Sequence, residues 1–177
     1  MATQWNIDTA HSEIQFKVKH LMITTVTGYF TNFSLTAVTN SQNFATASQI
    51  EFTADINSIT TNNEQRDGHL KSADFFDAEQ FPQLTFSGKK YDTKNDEEAV
   101  ITGDLTIKGV TQPVSFNVEF GGIVVDPYGQ TKAGFTVSGK INRSAFGLTW
   151  GAVTEAGKVV VGDEIKLHAE IQLIQQA

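Results

Sequence analysis

The sequence predicts an all-β fold of about eight antiparallel strands, closing as a barrel or stacking as a sandwich. Two observations carry this. Apolar and polar residues alternate with period two over most of the chain, the mark of strands with one buried and one wet face. Between the alternating runs lie short clusters of Gly, Pro, Asn and Asp, such as "KNDEE", "KGVTQP" and "DPYGQ", which punctuate a chain of hairpins.

The strands follow in order. "HSEIQFKVKH" sets Ile14, Phe16 and Val18 against Glu13, Gln15, Lys17 and Lys19. A strand is predicted across 25–38, carrying Phe30. "QIEFTADI" opposes Ile50, Phe52, Ala54 and Ile56 to Glu51, Thr53 and Asp55, and 83–90 carries Phe86. Residues 99–108 form another strand, and "VSFNVEF" places Val114, Phe116, Val118 and Phe120 on one side. Residues 132–141 carry Phe135, and "EIKLHAEIQLI" ends the set with Ile165, Leu167, Ala169, Ile171 and Leu173. No linker or fixed-period repeat divides the chain, which reads as one domain over residues 1–177.

One stretch breaks the rhythm: "RDGHLKSADFFDAEQFPQLTF", from Arg66 to Phe86. Asn62 or Asn63 suits a helix cap, and Glu64 and Asp67 place negative charge where the helix dipole favours it. Gly68 keeps that helix short, and Pro82 ends it and starts an extended segment. A helical excursion at one end of the strand set is expected. Phe75 and Phe76 are its apolar cover.

Composition narrows the function classes. With 20 acidic and 13 basic residues the net charge is -7, which disfavours nucleic acid and anionic membrane surfaces. The absence of cysteine excludes disulfides, thiolate nucleophiles and Cys-based metal sites. His11, His20, His69 and His168 lack ligand spacing, so no metal is expected. His11 and Ser12 are adjacent on an extended segment and point apart, which argues against a Ser-His-Asp triad with Asp8. Asp67 and His69, two apart on a helix, face different ways, so Arg66, Asp67 and His69 read as anchors. No apolar run is long enough for a transmembrane segment, and "MATQWNID" has no leader character, so a cytoplasmic location is expected; a periplasmic protein with its leader removed is the alternative. Thirteen phenylalanines either fill a solid core or line an apolar cavity.

Six motifs in order resemble the YceI-like, lipocalin-like polyisoprenoid-binding proteins of bacteria. "WNIDTAHSEIQFKVKHL" carries Trp5, Asp8, His11, Ser12, Phe16 and His20, followed by "VTGYFTNF" with Gly28 and Phe30. The stretch from Arg66 to Phe86 matches at Arg66, Asp67, His69, Leu70, Phe75, Phe76, Pro82 and Phe86. "GDLTIKGVTQPV", "INRSAFGLTW" and "VGDEIKLHAEIQL" complete the set. The resemblance implies a lipocalin-like β-barrel with short helical insertions, holding a long-chain isoprenoid lipid or isoprenoid quinone. It implies a homodimer in many members, no cofactor beyond that ligand, and no catalytic residues. The ligand would lie among Ile14, Phe16, Val18, Phe30, Ile50, Phe52, Phe75, Phe76, Phe86, Phe116, Val118, Phe135, Ile165 and Leu167. Two alternatives stand beside it: an isomerase or cyclase acting on a bound lipid through a buried His20 or His69, and a solid-core structural protein.

Overall fold

The computed structural model describes residues 1–150 and 161–177. Eleven strand segments build it: β1 Ala2–Ile7, β2 Glu13–His20, β3 Thr24–Phe30, β4 Phe33–Asn40, β5 Asn43–Asp55, β6 Ile59–Thr60, β7 Gln83–Thr93, β8 Glu98–Ile107, β9 Val110–Val125, β10 Thr131–Asn142 and β11 Val161–Gln175. All pairings are antiparallel. Starting at β1, the order β1, β4, β5, β7, β8, β9, β10, β11 returns to β1 and closes an eight-stranded barrel.

Eleven segments make eight staves because three staves are broken. β11 pairs with β1 through Leu173–Gln175 and with β2 through Val161–Glu170, so β1 and β2 are one stave interrupted at residues 8–12. β3 and β4 form the next, interrupted at Thr31 and Asn32, which resolves the strand expected across 25–38 into two pieces. β5 and β6 form the third, interrupted by a 3-10 turn at Ile56–Ser58. The N-terminal segment is a structural correction to the sequence reading, which placed no strand before residue 11. β1 supplies Trp5, the most deeply buried large side chain of the described residues, whose indole N–H donates to Thr39 Oγ1 at 2.8 Å.

The breaks fall where polar motif residues sit. At the first, the Asp8 carboxylate accepts from the Ala10 N–H, pairs with His11 at 2.8 Å and with Lys132 Nζ at 2.8 Å. Ser12 Oγ accepts the Gln172 N–H from β11 at 3.0 Å, which commits it to the barrel wall. Asp126, in the β9–β10 turn, stands 3.5 Å from the same ammonium. One nearly buried lysine thus ties the broken stave to the opposite hairpin.

Period-two burial along β8 is regular: Ala99, Ile101, Leu105 and Ile107 are buried, and Gly103 holds the remaining inward position. Glycines elsewhere let rings lie flat against the wall. A Cβ at Gly28 or Gly139 would collide with the rings of Phe16 and Phe116, so the missing side chain is the ring's seat. β9 carries Pro113, which a central strand does not accept. It is tolerated because β9 pairs with β10 only from Asn117 onward, leaving the earlier half with β8 as its one partner.

The lysine cluster sets a pH dependence. Hydrogen bonding from Lys132 is the main cause holding the Asp8 carboxyl below its ordinary range. Asp126 is lowered too, first by the Gln130 N–H and further by Tyr128 N–H and Lys132. Groups depressed in the folded state stabilise it above the unfolded carboxylate pKa and lose that contribution as pH falls through the folded value. Thermal melting of the wild type should therefore drop on acidification below about pH 4, with Asp8→Asn melting lower at neutral pH and showing a shallower acid slope. Equal slopes in the two proteins would remove Asp8 from this account.

Candidate functional site

Inside the barrel lies a cavity of about 250 Å³ whose wall is almost entirely carbon. The fourteen residues expected to surround a ligand line it: Ile14, Phe16, Val18, Phe30, Ile50, Phe52, Phe86, Phe116, Val118, Phe135, Ile165 and Leu167 from the strands, and Phe75 and Phe76 from the excursion; Ala54, Ile56, Val114 and Phe120, on the same apolar faces, do not. Strand register explains the convergence. Ile14, Phe16 and Val18 stand opposite Ala169, Leu167 and Ile165, while Phe52 faces Phe86 and Phe86 faces Leu105 across successive pairs. The sequence reading did not single out Leu84, Ile101, Leu105, Ile141 or Tyr91, which line the same space. Their period-two spacing is the signal that finds them, since the strands expected at 83–90, 99–108 and 132–141 contain all but Tyr91, which β7 reaches by running on to Thr93. Leu70, Arg143 and Leu148 carry no such signal, because they come from outside the strands.

The two ends of the barrel differ. At the end holding the N-terminus, Trp5, Phe44, Phe120 and Phe135 form an aromatic plug with ring centroids 4.8 to 5.6 Å apart. At the other end the wall is completed by turns. The helix α1, Glu64–Lys71, starts at the cap Asn63, whose side chain accepts the Arg66 N–H at 3.0 Å. Buried Thr61 anchors it: its N–H and hydroxyl donate to Asp67 Oδ1 at 2.8 and 2.6 Å, and Arg66 donates to its hydroxyl and carbonyl at 2.8 Å each. Arg66 and Asp67 are thus anchors, as their spacing suggests. The residues after α1 turn back, bringing Phe76 to Phe30 at 6.3 Å and burying Phe75 beside His69 and Trp150.

Arg143 is the buried charge at this end, 4% exposed and lining the cavity. It donates to the carbonyls of Gly162 (2.9 Å), Leu148 (2.6 Å), Trp150 (2.8 Å) and Val161 (3.0 Å), and its guanidinium lies 6.0 Å from the Phe75 ring centre. It therefore pins the chain on both sides of residues 151–160 against the Phe75 cover. Burial lowers its pKa from the usual arginine value.

Neither histidine expected to act on a bound lipid lines the cavity, and His168, which borders it, has a half-exposed side chain bonded to Glu170 at 2.9 Å. His20 is exposed, and His69 bonds Asp74 at 2.9 Å with its ring edge against Trp150. Tyr91 does line the cavity, but burial pushes its hydroxyl up to about 12, so it stays protonated near neutrality. Among the described residues, no three His, Asp or Glu side chains are placed to share a metal.

A buried carbonyl left without a donor costs about 1–3 kcal/mol. Arg143→Leu should thus lower the melting temperature by roughly 6–12 °C, because several carbonyls lose their partner at once. A melting temperature equal to wild type would show that water replaces the guanidinium without cost.

Known proteins place this architecture. Crystal structures of a Campylobacter jejuni YCEI protein match with a TM-score of 0.78 and 34% identity over 90% of each chain. Burkholderia cenocepacia BcnA gives a TM-score of 0.81 at 24% identity, covering 94% of this chain and 98% of its own. A polyisoprenoid binding domain from Saccharophagus degradans shares the fold at a TM-score of 0.71 and 14% identity, over 97% and 98% of the two chains. A UPF0312 protein of Staphylococcus aureus strain USA300 is 39% identical over 173 residues, 96% of each chain. The YceI-like domain model matches residues 5–173, and the chain belongs to the YceI-like family.

Proposed function

We propose that the barrel binds a long-chain isoprenoid lipid of the polyprenyl or isoprenoid-quinone type, or a similar amphiphile, for carriage, storage or sequestration. One observation carries the reading: a cavity of about 250 Å³ with an almost wholly apolar wall. That volume is slightly below the roughly 300–1,000 Å³ of pockets for drug-sized molecules, which suits a slender chain. A solid-core protein would leave no such space. Burying apolar chain contributes about 25 cal/mol per Å² before ordering costs, so affinity comes from the tail and selectivity from cavity length and width. The polyisoprenoid binding domain of Saccharophagus degradans offers a precedent for this cargo on this fold.

Catalysis on the cargo finds little support in the same geometry. Of the polar side chains that reach this almost wholly apolar wall, Arg143 is engaged by four backbone carbonyls and the Tyr91 hydroxyl stays protonated, which leaves little for acid-base or oxyanion chemistry at the bound chain. The reading is therefore a binding protein without turnover.

Mass spectrometry of an organic extract from protein purified without detergent should detect a prenyl lipid, a quinone or a related amphiphile. Repeated extracts at background level would sink the carrier reading. The turn-built end is where cargo would pass, since turns open at lower free energy than paired strands. Phe75→Ala with Phe76→Ala should accelerate release of bound lipid with a modest loss of apo stability. Phe116→Ala, at a buried ring seated on Gly139, should cost about 3–5 kcal/mol. If the Phe75/Phe76 variant melts as low as Phe116→Ala yet releases lipid at the wild-type rate, those rings are ordinary core.

A further inference from the structure

The β2–β3 hairpin joins the barrel at the same end as α1, and its turn is Leu21, Met22 and Ile23. These three consecutive apolar side chains are 41%, 58% and 77% exposed. The backbone beneath them is also unfavourable. Leu21 and Met22 both have positive φ, 52° and 59°, and the Ile23 N–H bonds the His20 carbonyl at 3.2 Å. Two consecutive left-handed residues are a conformation that favours Asn and Gly and disfavours large side chains at both positions. A turn built only for stability would hold neither leucine nor methionine.

The tip is continuous with the turn-built end of the cavity. Met22 Sδ lies 3.6 Å from where a Cβ on Gly162 would stand, and Gly162 and Val161 are held by Arg143. Val161 and Val18, just inside the tip, line the cavity. Trp150, pinned by the same arginine, is 41% exposed.

Charge around the tip runs against the chain's net -7. Between Glu13 and Glu51 there is no carboxylate at all, while Lys17, Lys19 and His20 stand exposed on β2 below the turn. The acids nearest on β11 are Asp163, which accepts the Ser144 N–H at 3.1 Å, and Glu164, whose charge is matched by Lys140 at 4.0 Å. Apolar side chains ahead of a cationic collar match the acyl and headgroup layers of a bilayer containing anionic phospholipid.

We propose that Leu21, Met22 and Ile23 dock this end of the barrel on a phospholipid bilayer, Lys17 and Lys19 meeting the headgroups, so that apolar cargo moves between membrane and cavity without crossing water. The passage of cargo rests on the binding reading above; the docking stands on the hairpin alone.

The test is co-sedimentation with vesicles of mixed phosphatidylcholine and phosphatidylglycerol, comparing wild type with the variant Leu21→Asn/Met22→Gly/Ile23→Thr. Wild type should pellet with the vesicles, less so on phosphatidylcholine alone or in added salt. The variant should partition at least about tenfold less, from the loss of buried apolar side chains. Its melting temperature should equal or exceed that of wild type, since Asn-Gly relieves the turn. Wild type remaining in the supernatant, or a variant that partitions equally, overturns docking. So does a wild-type oligomer that the substitutions dissociate, which would assign the tip to a second copy of the chain. A free prenyl alcohol delivered from cyclodextrin separates the two readings. Both proteins should bind it alike; failure of both to bind refutes the cargo reading while leaving vesicle partition to judge the tip.

Discussion

A wall enclosing an apolar cavity gives its backbone no inner solvent to bond, so each stave must find partners along the sheet. Where a stave breaks, side chains must supply what the neighbouring strand does not. Lateral satisfaction of the backbone is the constraint on which this barrel depends. Closure through the pairing of β1 with β11 meets most of it, and the breaks are where polar residues gather. Asp8 and Ser12 serve the first. At the second and third, the Asp55 N–H bonds the Asn32 carbonyl at 2.9 Å and the Thr31 N–H bonds the Ser58 carbonyl at 3.2 Å. Thr61, Asp67 and Arg66 hold the next departure from the sheet, and Arg143 holds the last.

This division of labour accounts for the unlike character of the motifs and the cavity. The polar motif residues, which invite a catalytic reading, serve the scaffold: Ser12 belongs to β11 and His11 to Asp8. The ligand space is made by ordinary apolar side chains, repeated every second residue, and by the absence of side chains at Gly28 and Gly139. Chemistry-bearing residues mostly hold the wall up, and the interior they enclose is almost wholly apolar. A site of this kind binds by area and shape, which suits a long hydrocarbon better than a molecule recognised by its polar groups.

The asymmetry of the ends follows from the same chain path. The plugged end gathers four aromatic rings on paired strands, so opening it would break sheet hydrogen bonds and aromatic contacts together. The other end collects α1, the Leu21–Ile23 turn and the Arg143 clamp, and there the pairing of β9 with β10 has already ended. Movement at that end repositions turns and leaves the ladders intact. Exposed apolar residues on a strained turn beside it are consistent with a surface selected for contact with lipid at some cost in stability.

The sequence by itself determined most of the strands after residue 11, their inward faces and the short excursion between β6 and β7, because period-two alternation reports directly which side chains leave water. It also determined that Asp67 and His69, two apart, could not act as a pair on one helix face. The expected number of about eight staves is borne out, and only the tertiary structure decided which segments join to make them. β1 is short, its alternation rests on Trp5 and Ile7, and its partners Val38 and Leu173 lie far along the chain, so no local pattern announces it. Only the structure, too, separated a cavity from a solid core: thirteen phenylalanines serve either, and the difference depends on where rings fold back onto glycine. Arg143 was illegible for the same reason. Its partners are backbone carbonyls, which every residue possesses, and which four it meets is settled by the path of the chain alone.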